Sequence, residues 1–157
     1  MATIMKPDYR RQDLKVIERV LELFRKDHRA WMQGDYYDWR DQINQGDGLS
    51  WKCAKLDDDR VCFCLVGALC KAADSKLPEA QIDFRVPGAG ELLADVRKHF
   101  DWEPGTYQSN LQPHAKDAHM LIDWNDERDR EVGEVIDLLS ITRTRLATDL
   151  ITNPDGQ

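Results

Sequence analysis

The chain has 157 residues, 41% hydrophobic and 32% charged, with a formal net charge of −7 and a sequence pI near 5.1. That length is one domain's worth, enough for a core without staples, and the composition is that of a folded chain rather than a disordered one. An acidic balance removes any general attraction to phosphate backbones, so nucleic acid is not a favoured partner. No apolar run is long enough to span a membrane, and Met1–Gln12 holds no signal-peptide stretch, so a cytoplasmic protein without a membrane partner is expected.

In chain order, Asp13 is placed to cap a helix reaching about Gln33, with Leu14, Ile17, Leu21, Phe24, His28 and Trp31 on one face and Gly34 as its stop. The charges of both signs on that helix read as a solvated face with i,i+4 pairs. Trp31 to Trp51 is dense in aromatic residues and reads as a short helix followed by a loop. Ser50–Leu56 and Arg60–Phe63 can pair as a small hairpin across Asp57-Asp58-Asp59.

The run from Cys62 to Ala73 is apolar nearly all round, which marks a central buried helix packed by the N-terminal and C-terminal helices. Gly67 and Ala68 within it fill little space and let a neighbouring backbone come close. Pro87-Gly88-Ala89-Gly90 opens another helix through about Phe100. Tyr107 to Ile122 is helical in part with an interruption near Pro113, and the last helix runs from about Glu127 to Thr148. The reading is a mainly α fold: a single compact domain of about five helices around a central apolar helix, with one small β-hairpin. Residues 1–12 are assigned to an N-terminal arm, 13–150 to the helical domain and 151–157 to a loose tail.

Chemistry-bearing residues concentrate at two helix starts. Cys64 stands at the first turn of the central helix, where unpaired backbone N–H groups can hold a thiolate. Trp124, Asn125 and Asp126 precede the last helix, and with Cys64 they form the candidate pocket. A thiol hydrolase or transferase would use Cys64 as nucleophile, His114 or His119 as base, and Asn125 or Asp123 to orient the imidazole. A buried structural cysteine explains Cys64 more simply, since free Cys is among the most buried residue types.

The four cysteines, Cys53, Cys62, Cys64 and Cys70, are expected to be reduced thiols. With His114 and His119 they could supply zinc ligands, but their spacing is not a paired-knuckle pattern, so no metal and no cofactor are expected. Asp123 to Glu134 scans in part as a calcium loop, with Arg128 standing where the turn needs glycine. Capping of the last helix by Asn125 or Asp126, with Glu127, Asp129 and Glu131 favouring its positive end, explains more. A phosphate loop at Pro87-Gly88-Ala89-Gly90 lacks its strand and lysine, and a proline-initiated helix suffices there. Tyr36, Tyr37 and Trp39 lie among charges, the setting of interface anchors, and are the favoured contact surface.

Cys64-Leu-Val-Gly-Ala-Leu69, Trp124-Asn-Asp126 and Glu134-Val-Ile-Asp-Leu-Leu139 together resemble a family of small uncharacterised proteins of bacteria and their phages. Those proteins share a Cys-x-x-Gly-Ala-Leu segment and a Trp-Asn-Asp segment ahead of a Glu-Val helix. The resemblance covers roughly Trp51 to Leu139 in patches. Family members often continue Trp-Asn-Asp with Gly-Arg-Thr, where this chain has Arg128-Asp-Arg130. The resemblance implies a compact, mostly helical fold and a pairing of Cys64 with Asn125 or Asp126, and it assigns no reaction. The expected function is a non-enzymatic accessory or regulatory protein, phage- or mobile-element-encoded, acting through contacts with a protein partner or a second copy of itself.

Overall fold

A computed structural model of the chain describes residues 7–41, 48–78, 85–103 and 113–156. Among the described residues five α-helices and two short strands follow in the order α1 (Arg10–Lys26), β1 (Tyr37–Trp39), β2 (Val61–Phe63), α2 (Leu65–Ala72), α3 (Ala89–His99), α4 (Pro113–Asn125) and α5 (Val132–Thr152). The fold is mainly α, as the sequence predicts. No helix among the described residues is long and apolar enough to cross a membrane.

Central α2 is buried at every position but Lys71, because it has almost no polar side chain to offer water. It packs against α1 and α4, while α5 lies along α1 and α3, so the terminal helices enclose each other more than they enclose α2. The inner stripe of α1, Val16, Ile17, Val20, Leu21 and Phe24, is sealed at helical spacing. Each such side chain contributes about 1.5–3 kcal/mol relative to leaving it in water.

Helix α1 starts at Arg10 rather than after Asp13, and it stops at Lys26 rather than Gln33. Asp27 takes extended backbone and its carboxylate accepts Arg29 N–H, opening the 3-10 turn His28–Ala30. The chain beyond is then free to turn back towards α2. Tyr37 to Trp39, read as helical from sequence, forms a strand, and its partner is Val61–Phe63 in the register Tyr37 to Phe63, Asp38 to Cys62 and Trp39 to Val61. The expected hairpin with Ser50–Leu56 therefore does not form. Instead Ser50 closes a turn, its carbonyl accepting Cys53 and Ala54 N–H.

Helix α3 begins where the Pro87-Gly-Ala-Gly90 pattern places it, with Gly88 at its N-cap in a left-handed conformation (φ 85°). Tyr107–Gln112 lie outside the described residues. Asp123-Trp-Asn125 closes α4 instead of opening the last helix, which starts at Val132. The cap of α5 is a reciprocal pair: Glu131 takes the Glu134 N–H, and Glu134 Oε1 accepts Glu131 N–H at 3.0 Å. Asn125 and Asp126 thus do not cap it. Past Thr152 the tail is held to α1, because Arg10 and Arg11 both donate to the Pro154 carbonyl.

Candidate functional site

The two sequence segments that suggested a site do meet, and they meet at the N-terminus of α2. The first N–H groups of any helix lack intrahelical partners. Here Cys64 is the N-cap and its Sγ accepts Gly67 N–H at 3.3 Å. Leu65 N–H donates to Asn125 Oδ1 at 3.1 Å, from the last residue of α4.

Asn125 is fully buried, and every polar atom of its side chain is engaged. Its Oδ1 also accepts Trp31 Nε1–H at 2.7 Å, and its Nδ2 donates to the Met32 carbonyl at 3.1 Å and to Asp126 Oδ1 at 2.8 Å. Around it Gln33 Nε2 donates to the carbonyls of Asn125 and Glu127, at 2.8 and 2.7 Å, and Gly34 N–H donates to Asp126 at 3.1 Å. The end of α4 is thereby capped by side chains from the segment after α1. Trp31 and Gln33, read from sequence as the end of a helix, turn out to be partners of Asn125.

Trp124 fills the core beside this knot, edge-on to Phe100 at 5.2 Å. The Arg130 guanidinium covers its other side at 4.1 Å from the ring, donates to the Trp124 carbonyl at 3.0 Å and pairs with Glu134. Trp-Asn-Asp is therefore a fastening of α4 to α2 and to the residue 31–34 segment. Gly67 completes it from the other side. The Tyr36 carbonyl accepts Cys64 N–H at 3.0 Å, and a Cβ on Gly67 would overlap that carbonyl.

This geometry does not prepare Cys64 for nucleophilic chemistry. The thiol is 2% exposed, and burial pushes it up to about 12, so at neutral pH it stays protonated. Cys70 is likewise pushed up to about 12 by burial, and Cys62 is raised for the same reason. Cys53 is exposed, and all four are free thiols. His119 Nε2 is buried with no partner among the described residues, so no hydrogen bond through that nitrogen joins it to Cys64 or Asn125. His114 falls in the first turn of α4, and its side chain lies outside the described residues. Among the described residues no three His, Cys, Asp or Glu side chains gather as a metal site.

The aromatic group is drawn largely against its own chain. Tyr37 tilts on Trp51 at 5.1 Å, Trp51 meets Phe63 edge-on at 6.3 Å, and Arg60 stands 5.7 Å over Trp39. Tyr36, Tyr37 and Trp39 all remain half-buried. Tyr36 is the anchor of the three, with its backbone on α2 and its phenol directed to the Pro78 carbonyl.

The model of a family of unknown function (DUF6197) matches residues 8–145. The chain belongs to that family. No curated protein and no solved structure matches it. The matched stretch takes in both halves of the Cys64–Asn125 fastening and the helix α1 that packs over it.

Proposed function

We propose that this is a non-enzymatic accessory or regulatory protein of bacterial or phage origin, working in the cytoplasm through protein–protein contacts. The observation that carries the reading is the strand Tyr37–Trp39. It presents two aromatic side chains on one face, half-buried and flanked by Asp38 and Arg60. Aromatic residues held rigid at a surface and bordered by charge are the usual anchors of protein interfaces. The sealed and protonated Cys64 counts against the thiol-hydrolase alternative with His114 or His119.

Affinity capture from a native host, run with the parent chain and with a Tyr37→Ala/Trp39→Ala variant, tests the reading. Tyr36 is left in place because its backbone supports α2. The variant is expected to keep its fold and to lose the captured protein, since truncating an interface anchor costs at least ~2 kcal/mol of binding. Capture of the same proteins by the folded variant would remove this surface from consideration.

A further inference from the structure

We infer that a second copy of this chain docks on the exposed face of α1 through its acidic α4–α5 turn. This goes beyond the contact surface just described and uses different residues. Along α1 a shallow groove of about 710 Å³ is lined by Lys15, Arg19, Arg25, Lys26 and, from α5, Arg143, against only two acidic residues, Glu18 and Glu22. That is a local excess of positive charge on a chain whose net charge is −7.

The balancing negative charge has an address. Residues 126–137 carry six acidic and two basic side chains, and Asp126, Glu127, Asp129, Glu131 and Asp137 are exposed. Both regions belong to the same ridge. Helix α5 runs antiparallel to α1, fixed by Arg10 to Asp149 at one end, Glu18 to Arg143 in the middle and Arg25 to Ser140 near the other. From Ser140 back to Val132 the helix rises about 12 Å, so the acidic turn lies just past the C-terminal end of the basic groove.

Two patches of opposite sign side by side on one ridge are self-complementary under a two-fold axis between them. Each copy then lays its acidic turn over the other's groove, and the contact closes as a dimer. At physiological salt the general repulsion between two acidic copies is screened beyond about 8 Å, while charges in direct contact are screened much less.

Sedimentation velocity of the full chain near physiological salt is expected to show a dimer. Raising salt to about 1 M, where screening reaches about 3 Å, is expected to weaken it roughly tenfold or more. Lys15→Glu/Lys26→Glu and Asp129→Lys/Asp137→Lys alter exposed side chains, and each variant alone is expected to be monomeric. Mixed in equal amounts, the two should re-form a dimer, because the first variant's unchanged acidic turn meets the second's unchanged basic groove, while the two altered patches, one weakly acidic and one neutral, no longer repel each other. A monomeric parent, a dimer indifferent to salt, or a mixture that stays monomeric overturns the proposal. If either variant loses its helical circular dichroism, the salt titration of the parent alone decides.

Discussion

Asn125 Oδ1 and the backbone N–H of Leu65 are 3.1 Å apart, a bond that ties the end of α4 to the beginning of α2 across sixty residues of sequence. The same oxygen accepts Trp31 Nε1–H at 2.7 Å, so one buried amide organises three separate segments. An oxygen with two donors and a nitrogen with two acceptors uses the full capacity of an asparagine side chain. Neither aspartate nor leucine can reproduce it.

Asn125→Ala is therefore expected to destabilise the fold strongly. It strands the buried Leu65 N–H, at about 1–3 kcal/mol, and also the indole N–H of Trp31 and the Met32 carbonyl, which are half-buried and cost less because water reaches them in part. Chemical unfolding should show a loss on the order of 2–4 kcal/mol, and a loss under about 1 kcal/mol would contradict the account. Asn125→Asp should also destabilise, because it removes both donations and sets a second carboxylate against Asp126.

Gly67→Ala tests the other half of the fastening. The added methyl overlaps the Tyr36 carbonyl, which itself holds Cys64 N–H, so strand and helix must separate. The expected cost is at least ~2 kcal/mol. Gly133→Ala is the control: a Cβ there meets nothing, and relief of glycine's backbone entropy in a helix should add about 0.5–1 kcal/mol. Thermal midpoints moving in opposite directions for the two variants would bear the argument out, and equal midpoints would defeat it.

These two residues also mark what could be read from sequence. The close approach at Gly67 was legible, because an apolar helix containing glycine has few other uses for it, whereas the meeting of the Cys64 and Asn125 segments was implied only by the family resemblance. The reason for the meeting was not legible. Trp31 falls at helical spacing after Phe24 and His28, and only the extended backbone at Asp27, which no periodicity announces, takes it out of α1 and brings it to Asn125. The acidic stretch Glu127–Glu131 suits a first helical turn so well that the later capping pair Glu131–Glu134 was hidden behind it. Strands of three residues are too short for alternation to show, which is why Val61–Phe63 received the wrong partner.

Asp13 is a third case, since the expected helix cap is instead buried inside α1 at 1% exposure. Its carboxylate is held by the Arg85 guanidinium and accepts Gly88 N–H at 3.0 Å, joining α1 to the start of α3. Asp13→Ala leaves that N–H buried without its acceptor and Arg85 without its counter-charge. A loss of several kcal/mol is expected, as for other buried pairs deprived of one member. Asp13→Asn should recover part of it, because one oxygen can still accept from Gly88. Unfolding free energies that fall equally for both variants would assign the loss to charge alone.

Alkaline pH should unfold the protein, and the buried thiols say in which range. Cys64 and Cys70, ordinarily near 9.0, are both pushed up to about 12 by burial, and Tyr36 rises from 10.0 to about 12 for the same reason. In each the folded state holds its proton after the unfolded chain has released it. Stability from these groups is thus complete below about pH 9 and falls progressively as pH climbs towards 12. A Cys64→Ala/Cys70→Ala variant begins less stable, having lost a cap and core volume, yet its stability should fall less steeply across that window. A thiol reagent at neutral pH should modify exposed Cys53 readily and reach Cys64 and Cys70 only at the rate at which the protein opens. Rapid labelling of Cys64 in the folded chain, or an alkaline slope that the double variant leaves unchanged, would contradict the sealed thiol and reopen Cys64 as a reactive group.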